Sequence, residues 1–276
     1  MLFSAKAVGG KFSSAYNASV AVELLHNFTL VHDDIMDNAD KRRGKQTLHK
    51  KYDSNTAILV GDSLLSIAYE QLLKDCNGNS KEILSAFTKG LVDVCEGQSM
   101  DKDFEIQEDV SIKDYETMIE KKTAAMVEMC CKIGALLSGG TKNEINGLAN
   151  FGRSIGIAFQ IQDDLLDITG NENEFGKFVG GDLVEGKKTF LFIKALERAK
   201  GKNRQALQKI IRNKGIKPDQ IKFYKELYEK LGVLEDAKKE IKFYTNKALN
   251  SLKILKRKED REIFGWLADS LIKRNK

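Results

Sequence analysis

Two copies of the motif D-D-x-x-D constrain this chain more than any other feature. Their six carboxylates are Asp33, Asp34, Asp37, Asp163, Asp164 and Asp167. Each copy follows an apolar run without proline, over residues 20–32 and 155–162, in which hydrophobic residues recur at i+3 and i+4. This period predicts that both copies lie at the ends of amphipathic helices.

The spacing within each copy brings carboxylates together on one helix face. At about 100° per residue, the first and last aspartates lie about 40° apart, and the middle one flanks them. Carboxylates this close repel each other, and burial adds a further penalty. Oxygen-only ligands suit a hard cation, above all Mg²⁺, which keeps its waters and shares its sites with substrate phosphates. One copy would fit a solvated acidic face, but two copies on apolar helices favour a metal site.

Composition predicts an all-helical protein. The chain has a single proline and no clear run of alternating β-branched residues. It has no run of 18 apolar residues that would span a membrane, and its first residues do not resemble a signal peptide. The four cysteines lack C-x-x-C spacing, which indicates reduced thiols in the cytoplasm. The net charge of +5 is modest and the lysines are scattered, which argues against nucleic acid as a partner.

Local signals predict where the helices begin and end. Ser13 or Ser14 is predicted to cap a helix that runs to about Met36, and Ser111 to form a capping box with Asp114. Further helices are predicted over residues 54–73, from residue 80, from residue 143 or 144 through the second motif, and four or five times between residues 190 and 276. This last third reads as scaffold.

Basic residues near the acidic motifs are candidates for holding an anion. Arg42 and Arg43 follow the first motif, and guanidinium groups grip phosphate oxygens bidentately. Lys122 and Thr123 precede an apolar helix, where a surface lysine pair and a functional role are about equally good interpretations. For His26, position alone favours a half-buried histidine bonded to a neighbour.

Residues 181–188 nearly match the phosphate loop G-x-x-x-x-G-K-[ST] of nucleotide hydrolases. The match fails at Lys188, where Ser or Thr is required, and no strand is predicted before it. We therefore reject a nucleotide-hydrolase loop, although the glycine-rich backbone with Lys177 and Lys187 can still contact a phosphate.

Taken in order, these residues resemble the trans-isoprenyl diphosphate synthases, also called polyprenyl synthetases. The matching signals are the two aspartate motifs, Arg42-Arg43-Gly44, Gly97-Gln98 with Asp101, Lys122-Thr123, Phe159 to Gln162, Lys177, and Gly180-Gly181-Asp182 with Lys187. The resemblance covers essentially the whole chain, as one domain over residues 1–276. It implies an all-α, isoprenoid-synthase-type helical bundle around a central cavity, and a homodimer.

The resemblance implies a Mg²⁺-dependent, head-to-tail condensation. An allylic diphosphate (dimethylallyl, geranyl or farnesyl) loses its diphosphate, and the double bond of isopentenyl diphosphate attacks the resulting cation. Mg²⁺, three ions with substrate bound, would neutralise the leaving group between two facing carboxylate turns. The direct ligands would be Asp33, Asp37 and Asp163, with Asp34, Asp164 and Asp167 close by or acting through water.

The resemblance also implies roles for the other site residues. The allylic diphosphate would be held by Arg42, Lys122, Lys177 and Lys187. Isopentenyl diphosphate would be held by His26 and Arg43, which reverses the interpretation of His26 from position alone. Thr123 and Gln160 would face the cation, in an apolar cavity that excludes water.

Phe28 and Thr29 bear on the length of the product. In the family, the fifth residue before the first motif floors the elongation pocket, and here it is Phe28. The helical wheel alone places Thr29 more directly below Asp33. A large ring at Phe28 and a first motif without a two-residue insertion resemble archaeal-type C20 synthases. The expected product is geranylgeranyl diphosphate, with farnesyl diphosphate next.

Other interpretations remain open. A terpene cyclase would need a second metal site of the type N-D-x-x-S-x-x-x-E, which this chain lacks. Family members carry a G-G-K-R-x-R-P stretch upstream of the point where this chain starts. Either Met1 is an internal methionine taken as the start, which we favour, or the second-substrate site is incomplete. In the latter case the chain would be a non-catalytic partner subunit that binds prenyl diphosphates.

Overall fold

The structure, a computed structural model, describes residues 1–76, 78, 80–170 and 179–272. It divides into two compact units, one of residues 1–91 with 130–146, and one of residues 92–129 with the described part of 147–276. Helices dominate both units, and the predicted all-α class is confirmed. The single domain over residues 1–276 stays a prediction.

The first unit is built on two long helices. Its elements are α1 (Leu2–Ala7), a 3₁₀ turn (Phe12–Ala15), α2 (Tyr16–Met36), β1 (Lys41–Arg42), β2 (Lys45–Gln46), α3 (Leu48–Lys51), α4 (Ser54–Lys74) and the start of α5 (Ser80–Ile106). Helices α7 (Ala125–Leu137) and α8 (Lys142–Thr169) contribute residues to both units.

Helices α2 and α4 pack along each other, because each presents a stripe of small and apolar residues. The buried stripe of α2 carries the first aspartate motif at its end. On α4 the contact includes Gly61, where an added Cβ would lie 2.3 Å from Nε2 of His32. This glycine therefore allows α4 to approach α2 directly beside the motif.

A short hairpin follows α2 and turns back at Arg43 and Gly44. Strand β1 pairs antiparallel with β2, with Arg42 opposite Lys45. Arg43 and Gly44 have φ angles of 52° and 76°. Positive φ at both central residues is the geometry of a type I′ turn, whose twist matches that of the flanking strands. The segment after the first motif is thus an ordered hairpin that fixes the place of both arginines.

The second unit contains a helix whose first turn is entirely buried. Besides the parts of α5, α7 and α8, its elements are α6 (Ile112–Ile119), a π-helical turn (Glu120–Ala124), α9 (Gly181–Glu185), α10 (Phe190–Arg198), α11 (Gly201–Asn213), α12 (Ile221–Leu231), α13 (Val233–Ser251) and α14 (Lys258–Ile272). Helix α10 buries Phe190, Leu191, Phe192 and Ile193 in succession. It packs against α6, α11, α12 and α13, and so has no solvent face over its first turn.

The predicted helix ends are largely confirmed. Ser111 and Asp114 form the expected capping box, with Asp114 N–H donating to Ser111 Oγ over 3.2 Å. The prediction for Ser13 and Ser14 is wrong, because both lie inside the 3₁₀ turn and α2 begins at Tyr16. Over the described residues, no helix is both long and apolar enough to cross a membrane.

Candidate active site

The first aspartate motif ends α2 with its carboxylates in three different environments. Asp34 is buried, with 6% of its surface exposed. Its Oδ1 accepts a hydrogen bond of 2.8 Å from Nε of Arg42 in the hairpin. Nη2 of the same guanidinium lies 3.7 Å from Oδ2 of the half-buried Asp33. Asp37, at the helix end, is exposed. The hairpin therefore places Arg42 against the motif, as its sequence position suggested.

The second motif, in α8, buries its middle aspartate in the same way. Asp164 is 5% exposed. Its Oδ2 accepts hydrogen bonds from Tyr115 Oη (2.6 Å) and from the backbone N–H of Phe190 (3.1 Å), and its Oδ1 accepts one from Gln160 Nε2 (3.1 Å). Burial, followed by the charge of Asp182, raises the pKa of Asp164 to about 7 although these three donors oppose the shift.

The outer aspartates of the second motif are less buried. Asp163 and Asp167 are both half-buried. Oδ2 of Asp167 accepts the backbone N–H of Asp182 over 3.2 Å, and its carbonyl oxygen accepts that of Gly180. These bonds tie the end of α8 to the beginning of α9. A seventh carboxylate, that of Asp182, thus lies close to the motif.

The two motifs share one pattern, and this pattern fits Mg²⁺. In each, the middle aspartate points inward and is held by protein donors, while the first and last are more exposed and lie on one face. Over the described ranges, no three His, Cys, Asp or Glu side chains are arranged to hold a metal by themselves. Mg²⁺ is commonly bound by one or two carboxylates, with waters and substrate phosphates completing its shell. The oxygen-only donor set fits such an ion.

Lys122 and Thr123 project from a π-helical turn, which is a frequent feature of functional sites. Nζ of Lys122 lies 2.5 Å from Oδ2 of Asp101 in α5, and Thr123 Oγ1 donates to Gln160 Oε1 over 2.9 Å. Two glycines allow neighbouring helices to touch this turn. An added Cβ would lie 2.2 Å from the backbone N of Lys122 at Gly97, and 2.6 Å from Cα of Ala124 at Gly156.

The glycine-rich segment after α8 contributes one predicted lysine. Nζ of Lys187 lies 2.7 Å from Glu185 and 3.6 Å from Asp182. Burial lowers the pKa of Lys187, but these two carboxylates outweigh it and raise the pKa above its ordinary value. Lys177 lies outside the described residues. Lys188, the residue that breaks the nucleotide-loop match, is buried and donates to the carbonyl oxygen of Phe104.

His26 is half-buried and interacts electrostatically with Glu23, Arg43 and Arg42. Burial lowers its pKa, and the charges of Arg43 and Arg42 lower it further, against an opposing effect of Glu23. One turn along α2, Thr29 donates its hydroxyl to the carbonyl oxygen of His26 over 2.8 Å. The combination of a histidine with two nearby arginines suits an anionic ligand.

Phe28 lies inside the first unit, near the aspartate motif. Its side chain is 8% exposed, and its ring centroid lies 4.5 Å from that of His32. His32 in turn contacts Gly61 and lies 3.8 Å from Asp62 of α4. Phe28 is therefore part of a packed layer one turn before Asp33.

Comparison with known proteins shows to which family this chain belongs. The family model described as "Polyprenyl synthetase" matches residues 1–231. The chain belongs to the polyprenyl synthetase family. It is 40% identical to a short chain isoprenyl diphosphate synthase of Methanothermobacter thermautotrophicus, over 99% of this chain and 84% of that protein. The prediction of a trans-isoprenyl diphosphate synthase, a prenyltransferase, is confirmed.

Two solved structures of this family share the fold. A geranylgeranyl pyrophosphate synthetase from Pyrococcus horikoshii superposes with a TM-score of 0.91 at 36% identity, over 99% of this chain and 84% of that one. A polyprenyl synthase from Caulobacter crescentus, complexed with calcium and isoprenyl diphosphate, has a TM-score of 0.91 at 27% identity, over 99% of this chain and 83% of that one. The predicted isoprenoid-synthase type of fold is confirmed.

Three further residues contact the candidate site residues, although analysis of the sequence assigned them no role there: Tyr115, Asp101 and Asp182. Asp101 and Asp182 were part of the family resemblance, but the sequence assigned them no contacts. Asp101 contacts Lys122 on another element, whereas Asp182 contacts Lys187 within the same segment. Tyr115 gave no signal beyond its place on the apolar face of α6. Its hydrogen bond to Asp164 spans 49 residues, a pairing that local periodicity does not reveal.

Proposed function

We propose that this polyprenyl synthetase condenses an allylic diphosphate with isopentenyl diphosphate and that its main product is geranylgeranyl diphosphate. The observation that carries the proposal is the shared pattern of the two aspartate motifs, an inward middle carboxylate and accessible outer ones. Reaction breaks the allylic C–O bond, forms a C–C bond to isopentenyl diphosphate, and releases diphosphate and one proton. The outer carboxylates, which are more exposed than the middle ones, and the nearby basic residues are suited to the first of these events, the breaking of the allylic C–O bond.

Mg²⁺ would be held by the outer aspartates, with Asp33, Asp37 and Asp163 as direct ligands and Asp167 close by. When bound, Mg²⁺ supplies positive charge that stabilises the leaving diphosphate. Asp34 and Asp164 would support the site from the protein interior, since both already accept hydrogen bonds from other residues of the protein. The Caulobacter crescentus structure with calcium and isoprenyl diphosphate supports a divalent cation site in this family.

Three cations would hold the allylic diphosphate, together with Lys177. In the structure each is paired with carboxylates: Arg42 with Asp34 and Asp33, Lys122 with Asp101, and Lys187 with Glu185 and Asp182. Such pairing keeps the cations in place and limits the rotamer entropy that is lost on binding. The diphosphate would then exchange places with carboxylates that already set the geometry.

Isopentenyl diphosphate would be bound by His26 and Arg43. Support comes from the effect of both arginines on the pKa of His26, which indicates that the three side chains share one region. The type I′ turn matters here, because it holds Arg43 in a left-handed conformation that few non-glycine residues adopt. Substitution in the turn would therefore move a substrate contact.

The allylic cation would be faced by Thr123 and Gln160. Both side chains carry oxygen atoms, and their hydrogen bond to each other fixes where those atoms point. Oxygen lone pairs directed at a forming cation lower its energy without reacting with it, and exclusion of water prevents quenching. The π-helical turn is the element that presents Thr123.

Phe28 would limit chain elongation to C20. Its burial near the first motif supports this role, and so does the name of the Pyrococcus horikoshii relative, a geranylgeranyl pyrophosphate synthetase. A farnesyl product is the second candidate. The two differ by one elongation step, which product analysis distinguishes directly.

A homodimer in the cytoplasm is the proposed working form. Helix α4 exposes several large apolar side chains, and exposed apolar surface commonly marks a protein interface. These residues are Ile58, Leu59, Val60, Ile67 and Leu73. Sedimentation analysis of the Leu59→Glu variant should show a shift toward monomer.

Incubation of the purified protein with an allylic diphosphate, labelled isopentenyl diphosphate and Mg²⁺ tests the proposal. Label should pass into an acid-stable, organic-soluble product, and chelation by EDTA should abolish the transfer. No transfer by this chain alone, but stimulation of a separate synthase on mixing, would instead support the partner-subunit interpretation.

A further inference from the structure

Hydrogen bonds around Asp164 form a continuous chain that ends on Thr123. Tyr115 Oη and the backbone N–H of Phe190 both donate to Oδ2 of Asp164, over 2.6 Å and 3.1 Å. Oδ1 of Asp164 accepts from Gln160 Nε2 over 3.1 Å, and Gln160 Oε1 accepts from Thr123 Oγ1 over 2.9 Å. All five residues belong to the second compact unit.

The chain has a direction, and the carboxylate determines it. In the structure the NH₂ group of Gln160 donates to Oδ1 of Asp164, a carboxylate oxygen that serves as its acceptor. The amide oxygen of Gln160 then faces Thr123 and must accept. The Thr123 hydroxyl consequently donates its only proton to Gln160, and the lone pairs of its oxygen point away from this bond.

We propose that Asp164 is a positioning residue that sets the direction of this hydrogen-bond chain and does not itself ligate the metal. This inference rests on the proposed function, in which Thr123 faces the allylic cation. It separates the second motif into outer carboxylates that bind Mg²⁺ and a middle one that orients Gln160 and Thr123. Tyr115 acts through Asp164 and is a second positioning residue.

The direction matters because of the charge that develops in the reaction. A Thr123 oxygen with outward lone pairs stabilises positive charge on carbon. If the chain ran the other way, Gln160 would present its NH₂ group to Thr123 and the hydroxyl proton would turn outward. A donor aimed at a cation destabilises it, so reversal should slow the chemical step and leave binding of both substrates intact.

The substitution Asp164→Asn reverses the chain with almost no change in shape. The asparagine oxygen still accepts from Tyr115 and Phe190 N–H, but its NH₂ group now faces Gln160 and forces the amide to flip. We expect kcat to fall about 10- to 100-fold, as for the loss of one hydrogen bond to a charged group, with each KM within about threefold of its original value.

A readout apart from activity distinguishes this role from metal ligation. Binding of Mn²⁺ in the presence of inorganic diphosphate, measured by water-proton relaxation, should be unchanged in Asp164→Asn. The matched variant Asp163→Asn, at a proposed direct ligand in the same motif, should weaken it at least about tenfold. Equal weakening in the two variants, or an unchanged kcat in Asp164→Asn, would overturn the proposal.

A second variant covers the case in which Asp164→Asn does not fold. Tyr115→Phe removes one donor from Oδ2 and should lower kcat several-fold, with Mn²⁺ binding unchanged; weakened Mn²⁺ binding would overturn the proposal. Absence of product from the unsubstituted protein would count against the proposed function alone. The Mn²⁺ comparison between Asp163→Asn and Asp164→Asn would still decide whether Asp164 is a ligand.

Discussion

Nζ of Lys122 lies 2.5 Å from Oδ2 of Asp101, across the contact between the π-helical turn and helix α5. The neighbouring Lys121 pairs instead with Glu96, which lies on α5 as Asp101 does. Adjacent lysines of one turn thus have separate partners. Substitutions of Lys122 and Lys121 can therefore be compared as a matched pair of variants.

Lys122→Ala should weaken use of the allylic substrate, whereas Lys121→Ala should not. Loss of one charged contact to a diphosphate costs about 1.5–3 kcal/mol, which corresponds to about 10- to 150-fold in kcat/KM. Steady-state kinetics with a varied concentration of allylic diphosphate would measure kcat/KM for both variants. Similar effects of the two substitutions would argue that the turn carries only general positive charge.

Gly97→Ala should destabilise the protein and impair activity together. Its Cβ would lie 2.2 Å from the backbone N of Lys122, so α5 and the π-helical turn would have to separate, at a cost of about 1–3 kcal/mol. Gly265→Ala in α14 is the control, since its Cβ would meet nothing within 4 Å and should stabilise the helix by about 0.5–1 kcal/mol. Urea denaturation measures the free energy of unfolding of both variants. Equal changes in the two variants would contradict the close contact between Gly97 and the π-helical turn.

Phe28→Ala should lengthen the product beyond C20. Removing the buried ring opens space near the first motif and also costs about 3–5 kcal/mol of stability, so the assay must be run where circular dichroism shows a folded protein. Phe243→Ala, at an exposed position in α13, should leave both product and stability unchanged. Chromatography of the dephosphorylated products compares the product lengths of the two variants. An unchanged distribution in Phe28→Ala would remove Phe28 from the elongation pocket.

His26 should make the protein less stable at mildly acidic pH. Because burial and the two arginines lower its pKa in the folded state, the unfolded chain binds a proton that the folded chain does not. Stability should therefore be retained above the ordinary histidine pKa of about 6.5 and fall as the pH drops below it. Urea denaturation at pH 8 and pH 5.5 should show a smaller loss for His26→Gln than for the unsubstituted protein. An identical loss in both proteins would contradict this role.

The sequence predicted the features of the site that depend on residues close together in the chain, and missed those that depend on contacts between distant residues. Periodicity located α2, α4 and α8, because apolar spacing is a property of the helix itself. The π-helical turn escaped prediction, since it is selected by contacts from Gly97 on α5 and Gly156 on α8 rather than by its own residues. The same holds for the inward direction of Asp164, which depends on Tyr115 and Phe190, far away in the chain.

The most direct test of the account is the product that the purified protein makes from each allylic primer. Dimethylallyl, geranyl and farnesyl diphosphate should each be extended with isopentenyl diphosphate and Mg²⁺, and chromatography after phosphatase treatment should show geranylgeraniol as the common end point. A common end point at farnesol, or products that lengthen without a limit at C20, would contradict the proposed product.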